Sequence, residues 1–358
     1  MKNLFIFGAG ASREAGAPLM SEFIDKADRL RRNPPEGISL TYPAFEGIFE
    51  AQRELRTLYE KSYVDLDNIE NLFGLVEMAR FIRRLGNKDL DTIKELATQV
   101  VTFITETLEY TIRFMYVDGQ FQPPVPYGEF LSMLLKHGNT HRPGSAHQFA
   151  FITFNYDLAL DYSLYFHNFK CDYCLTEQPV MHSTPYLKLH GSINWGICQE
   201  CGDIVPRLIP EAHFRVWPDH TKSVFYNLGT TLHLTKHHDK PIKGPPLLVP
   251  PTWNKGEYHR QLRNVWRRAA DELAAAENLF VIGYSLPETD SFFRYLFALG
   301  SDSRVKLRKF VLVDPDPQDN VEPRFRSFMG RAIEKFFDFK KKTFREAIPQ
   351  IDEILGQT

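Results

Sequence analysis

A chain of 358 residues with 43 basic and 45 acidic side chains, a formal charge of −2, has no net field with which to hold a polyanion over its whole surface. The basic runs RNVWRR (263–268) and KKK (340–342) read as solvated helix faces, so direct nucleic-acid binding is not expected. At 43% hydrophobic and 25% charged the chain is neither disordered nor low in complexity, and no apolar stretch approaches the about 20 residues of a membrane-spanning helix.

Met1 and Lys2 lead straight into NLFIFGAGAS, a short strand and a glycine turn with none of the features of a signal peptide, so a cytoplasmic protein is expected. LFIFGAGAS (4–12) is the first of five apolar runs, followed by FAFITFNYD (149–157), YLKLHGS (186–192), LFVIGYS (279–285) and KFVLVDP (309–315). Each is too short for a helix and rich in Val, Ile, Leu or Phe, as expected of strands covered on both faces of a parallel sheet. Between the first two runs lies a helical stretch. Asp67 and Glu70 resemble a capping box opening NIENLFGLVEMARFIRRL, and a second helix from about 89 to 116 aligns Ile93, Leu96, Val100, Ile104, Leu108 and Ile112. The prolines of DGQFQPPVPYG (118–128) then break the pattern. From 198 to 256 the periodicity fades, with GPPLLVPP (244–251) reading as an extended piece. A further helix, from 257 to 276, puts Leu262, Val265, Trp266, Ala269 and Leu273 on one stripe.

Strand and helix in alternation predict an α/β fold, a doubly wound, Rossmann-like, mostly parallel sheet with a large helical insertion subdomain. The expected division is an α/β domain of 1–19 and 146–340, a helical insertion of 20–145 and a C-terminal helix of 341–358. In such a sheet ligands bind beyond the carboxyl ends of the strands. That edge would gather Gly8 to Ser12, Asn155 to Asp157, His190 to Ser192, Gly283 to Ser285 and Asp314. GAGAS after a strand suits a turn whose backbone approaches a phosphate, or a tight turn with no ligand; Arg13 stands where a third glycine of the dinucleotide fingerprint would be. His190 at a strand end can act as a base near neutral pH or cap the loop, and Asn155 and Asp157 beside it favour a ligand-facing set.

GAGAS, TFNYD, KLHGSINW and GYSLPETD, in that order, resemble the sirtuin-like family, most closely its bacterial branch of NAD-hydrolysing anti-phage effectors, over residues 1–19 and about 149–315. The resemblance implies that Gly8, Ala9, Gly10, Ala11 and Ser12 hold the pyrophosphate of NAD. Asn155 would position the nicotinamide ribose or the attacking water, and Asp157 the loop. His190 would be the general base, Gly283, Tyr284 and Ser285 would approach the phosphates and adenosine ribose, and Asp314 would accept from that ribose's hydroxyls. Sirtuin deacylases continue past the glycine turn as Gly-Ile-Pro-Asp-Phe-Arg, whereas Gly16, Ala17 and Pro18 are followed here by Leu19, Met20 and Ser21. NAD hydrolysis is therefore expected, with protein deacylation and a non-catalytic NAD- or ADP-ribose-binding regulatory module as alternatives. The resemblance further implies oligomers and a separate regulatory partner such as a HerA-type ATPase.

All four cysteines fall in two C-x-x-C pairs 23 residues apart, Cys171 with Cys174 and Cys198 with Cys201, a spacing close to that of a structural zinc site. The alternative is two buried thiols and a small surface knuckle, and HHD (237–239) reads as a solvated loop.

Overall fold

Alternation of strand and helix along the chain is realised as one parallel sheet. The computed structural model describes residues 1–34, 40–58, 63–138, 147–218, 224–250, 256–287, 290–300 and 305–357. Pro251, at the end of the expected extended piece, and Glu288 and Thr289 of the fourth motif lie outside them. Two units are distinguished: residues 1–15, 122–191 and 255–358 form the first, and residues 16–121 and 192–254 the second.

In chain order the first unit comprises β1 (Lys2–Phe7), α1 (Ala9–Arg13), α2 (Tyr127–His137), β2 (Gln148–Thr153), α3 (Ala159–Phe166), β3 (Cys171–Asp172) and β4 (Thr184–Lys188). It continues with α4 (Gly256–Ala275), β5 (Asn278–Ile282), α5 (Ser291–Gly300), β6 (Lys309–Val313), α6 (Val321–Phe328), β7 (Phe337–Lys340) and α7 (Phe344–Gly356). The seven strands are ordered β7-β6-β5-β1-β2-β4-β3, and every pairing is parallel. The five apolar runs supply β1, β2, β4, β5 and β6. The edge strands β3 and β7 are short and only half-buried, which is why neither announces itself as an apolar run.

Strand order places the switch point. The chain leaves β1 towards β2 and leaves β5 in the opposite direction towards β6, so the switch point, where doubly wound sheets bind ligands, lies between the carboxyl ends of β1 and β5. Right-handed crossovers in opposite directions put α2 and α3 on one face of the sheet and α4, α5 and α6 on the other. On the first face Phe5 and Phe7 meet Phe130 of α2 at 5.0 and 5.7 Å between ring centres, and Phe7 meets Phe344 of α7 at 5.7 Å. Register sets Phe5 between Phe151 and Phe280, and Leu4, Phe5, Ile6 and Phe7 are all wholly buried, each contributing about 1.5–3 kcal/mol. The helix α7 is started by a reciprocal capping box, Thr343 with Glu346.

In the second unit the expected helices appear as Ile69–Ile82 and Leu90–Thr111, beside Phe23–Arg32 and Tyr42–Leu58. The cap of the former is Asn68, whose side chain accepts from the Glu70 N–H; Asp67 instead accepts from Gln52 and Arg56. Leu90–Thr111 ends before 116 because Phe114–Val117 joins an antiparallel four-stranded sheet with Gln120–Gln122, His213–Pro218 and Val224–Gly229. The second unit thus differs from the expected insertion of 20–145. It takes in 192–254, while Tyr127–His137 belongs with the sheet of the first unit because its apolar face packs on β1.

At the switch point two turns touch backbone to backbone. A Cβ on Gly283, where φ is +60°, would stand 2.2 Å from Ala11 N and 2.5 Å from Gly10 C; one on Gly8 would stand 2.6 Å from Gly283 O. Gly283→Ala is therefore expected to destabilise the chain by about 2 kcal/mol or more, whereas Gly330→Ala, with open space around it, costs well under that. Thermal and urea midpoints of the two variants check this, and equal midpoints would contradict it.

Candidate functional site at the carboxyl edge of the sheet

The turn after β1 and the turn after β5 are stitched together: Gly8 N–H donates to Ile282 O at 3.0 Å and Gly10 N–H to Gly283 O at 2.9 Å. The glycines are thus required by this backbone approach. Gly10 N–H is already committed, Ala11 N–H donates to Gly8 O, and the helix that follows, α1, has only 5 residues. Ala9 and Gly10 are the half-buried part of the turn, while Ala11 and Ser12 are buried.

The loop after β2 reaches the same turn. Asn155 Nδ2 donates to Gly8 O at 2.9 Å and to Ser12 Oγ at 3.0 Å. A carbonyl oxygen can only accept, so this pairing settles which end of the amide is nitrogen. Both amide hydrogens are used, and among the described residues the oxygen Oδ1 accepts from no group. Ser12 Oγ also meets the Tyr127 hydroxyl at 2.9 Å, and its interaction with the Asp157 carboxyl favours the charged form. Asn155 is thus a donor to Ser12, and the Tyr127 hydroxyl is its second hydrogen-bond partner. Burial holds the Tyr127 phenol well above its ordinary pKa, so it is neutral at pH 7.

Asp157 turns the chain into α3, its Oδ1 accepting from Ala159 N–H at 2.9 Å just before the helix. Burial raises the pKa of its carboxyl, and Lys188, the Ala159 N–H and Ser12 oppose that rise. Beneath the loop lies a buried ion pair. Lys188, wholly buried, donates to Asp157 O at 2.6 Å and to Asp161 Oδ2 at 2.8 Å. Asp161 also accepts from the Tyr173 and Tyr186 hydroxyls, each at 2.7 Å. Such a pair is tolerable because both charges have hydrogen-bonding partners.

His190 stands two residues beyond β4 and is 3% exposed. Phe154 meets its ring edge-on at 5.2 Å and Tyr156 lies at 6.3 Å, so residues flanking Asn155 in the chain also contact the imidazole. Its Nε2 is 3.9 Å from Asp290 Oδ2. The Tyr284 ring stacks on Phe154 at 4.2 Å and its hydroxyl donates to Asp290 at 2.7 Å, so its side chain is engaged in packing and in this bond. Ser285 O accepts from Arg324 at 3.4 Å. Asp314, beyond β6, accepts from Asp316 N–H at 2.8 Å, and burial raises the pKa of its carboxyl.

Apart from Ser192, which falls in the second unit, the expected residues therefore lie at the carboxyl ends of the sheet's strands within the first unit. Tyr127, Asp161, Lys188 and Asp290 join them unannounced by the sequence reading, although Lys188 and Asp290 stand inside the quoted KLHGSINW and GYSLPETD. Chemically the edge offers a fixed amide oxygen and a buried imidazole with a carboxylate nearby, at the switch point of the sheet.

The metal expectation changes its donors. Cys198, Cys201, His237 and His238 bring ligand atoms within 4.8 Å of one another, all in the second unit. Cys171 and Cys174 are not among them. They lie on and just after β3 in the first unit, where burial pushes the Cys174 thiol up to about 12. HHD correspondingly offers two candidate donors, His237 and His238. The Cys201 N–H and His237 push the Cys198 thiol down to about 7, towards the thiolate a metal needs, and two sulfurs with two imidazole nitrogens match the donor set of structural zinc.

No helix among the described residues is long and apolar enough to cross a membrane. No protein-family profile matches the sequence, and no curated protein sequence matches it. Among solved structures the chain is similar to a mutant Sir2 homologue bound to ADP-ribose, at 13% identity and a TM-score of 0.45, covering 99% of this chain and 92% of that one. It is also similar to a Sir2 homolog–NAD complex, at 12% identity and a TM-score of 0.39, covering 99% and 90%, and to Sir2Tm bound to a propionylated peptide, at 12% and 0.37, covering 99% and 94%. The fold assignment rests on the strand order and switch point themselves.

Two outcomes are expected. Lys188→Met strands the Asp161 charge and should destabilise by about 3–5 kcal/mol, with Lys188→Met/Asp161→Asn recovering part of the loss in a double-mutant cycle; additive losses would contradict the pairing. Purified protein should carry about one zinc per chain by elemental mass spectrometry. Cys201→Ser with His238→Ala should abolish it and Cys171→Ala should leave it intact; zinc lost in Cys171→Ala would restore the four-cysteine set.

Proposed function

We propose that the first unit is an NAD glycohydrolase, releasing nicotinamide and leaving ADP-ribose. The observation that carries this reading is the fixed amide of Asn155. Its nitrogen is tied to Gly8 O and Ser12 Oγ beside the switch point, which leaves Oδ1 as the end that can orient a ribose hydroxyl or a water. In this reading the bond from the ribose anomeric carbon to nicotinamide breaks with its electrons leaving on the base, and positive charge develops on the ribose. Water held by Asn155 Oδ1 attacks that carbon while His190 takes the water's proton. Asp157 and Lys188 hold the Asn155 loop. Ala9 and Gly10 lie under the pyrophosphate, with Ser285 and Asp314 towards the adenosine ribose.

Leu19, Met20 and Ser21, where deacylases have Asp-Phe-Arg, favour water over acyl-lysine as the acceptor. The order of the four motifs supports the wider proposal, an effector of bacterial anti-phage defence that depletes NAD in the cytoplasm. It would act as a homo-oligomer, restrained until a separate partner such as a HerA-type ATPase engages it.

Nicotinamide release from NAD, followed by chromatography with and without such an ATPase, tests the reading. Wild type should turn over, and Asn155→Ala and His190→Ala should each lose at least about 100-fold in kcat. Activity surviving in both variants, or release that requires an acyl-lysine peptide, would overturn it.

A further inference from the structure

The fourth motif ends in a carboxylate whose surroundings set it apart from an ordinary loop residue. Asp290 precedes α5 and is 1% exposed. Its Oδ2 accepts the Tyr284 hydroxyl at 2.7 Å and lies 3.9 Å from His190 Nε2. Tyr284 cannot drift: its ring is stacked on Phe154 at 4.2 Å with planes 8° apart and meets Phe293 edge-on at 5.2 Å. Phe154 also packs on His190, so one aromatic layer sets both the phenol that holds the carboxylate and the imidazole that faces it. An amide at 290 would accept the same phenol without the desolvation cost of a buried charge. A carboxylate is the group suited to a neighbour that becomes cationic.

We propose that Asp290 is the positioning carboxylate of His190, completing a Tyr284–Asp290–His190 relay. The inference rests on the reading of His190 as general base and names what orients and charges it. With Nε2–H turned to Asp290, the lone pair lies on Nδ1. Nδ1 then takes the proton of the attacking water as the new carbon–oxygen bond forms and nicotinamide departs with the electrons of the broken carbon–nitrogen bond. The imidazolium formed sits beside a carboxylate. A separation of 3.9 Å is longer than a hydrogen bond, and contacts of this kind commonly shorten when substrate is bound. Among the described residues Asp290 and Tyr156 face His190, with Tyr284 acting through Phe154 and Asp290, while Lys188 is engaged with Asp157 and Asp161.

The test uses the full chain labelled with 13C-histidine, the His190 signal being the one missing from His190→Gln. Asp290→Asn should lower the NMR titration midpoint of His190 by about one pH unit, and Asp290→Ser should do the same, since a nearby opposite charge favours the protonated imidazole. Tyr284→Phe, which keeps the carboxylate, should leave the midpoint within a few tenths of a unit. In NAD hydrolysis Asp290→Asn should lose about 10- to 100-fold in kcat with KM nearly unchanged, and the acidic limb of its pH profile should move to lower pH. A midpoint unmoved in whichever Asp290 variant folds overturns the pairing. A wild type that never turns over NAD overturns the functional reading instead, and the titration still decides the pairing.

Discussion

Everything at the functional edge depends on two backbone turns brought closer than any side chain permits. Gly8 and Gly10 after β1 and Gly283 after β5 leave no room for a Cβ, and their contact is sealed by the bond from Gly10 N–H to Gly283 O. Because β1 and β5 are the strands from which the chain departs in opposite directions, that contact lies at the switch point where doubly wound sheets bind ligands. The turn's curvature then exposes Gly8 O to Asn155, and Asn155 in turn brings Ser12, Tyr127 and Asp157 into one hydrogen-bonded set. A geometric demand of the main chain thereby becomes a chemical arrangement of side chains.

Polar satisfaction extends the same logic downward. Asp157 meets water-poor surroundings but is held by the Ala159 N–H, by Ser12 and by the field of Lys188, and Lys188 is itself anchored on Asp161, which also accepts from two tyrosine hydroxyls. The loop carrying Asn155 is thus fixed from above by the glycine turn and from below by a buried ion pair. Such doubly supported loops hold a functional group in place without substrate, which is what positioning requires.

Much of this was legible in the residues. The five buried strands declare themselves because both their faces are apolar, and strand-end polar groups stand out against them. The edge strands did not, since Cys171–Asp172 is too short for any pattern and Phe337–Lys340 alternates with charge. The antiparallel sheet of the second unit was hidden because its strands come from segments about a hundred residues apart, which local periodicity does not connect. Spacing alone paired the cysteines with each other; only tertiary structure brings His237 and His238 to Cys198 and Cys201. Tyr127 was lost for a similar reason, lying on a helix that looks like part of the insertion until its apolar face is seen to pack on β1. The glycines have a further reason in the fold, since they admit the neighbouring turn.

Diffraction from crystals of the full chain grown with ADP-ribose bears most directly on the claim that this switch point is a dinucleotide site. The account predicts the pyrophosphate over Ala9 and Gly10 and the terminal ribose against Asn155 Oδ1 and His190. ADP-ribose bound elsewhere, with the switch point between β1 and β5 vacant, would contradict it.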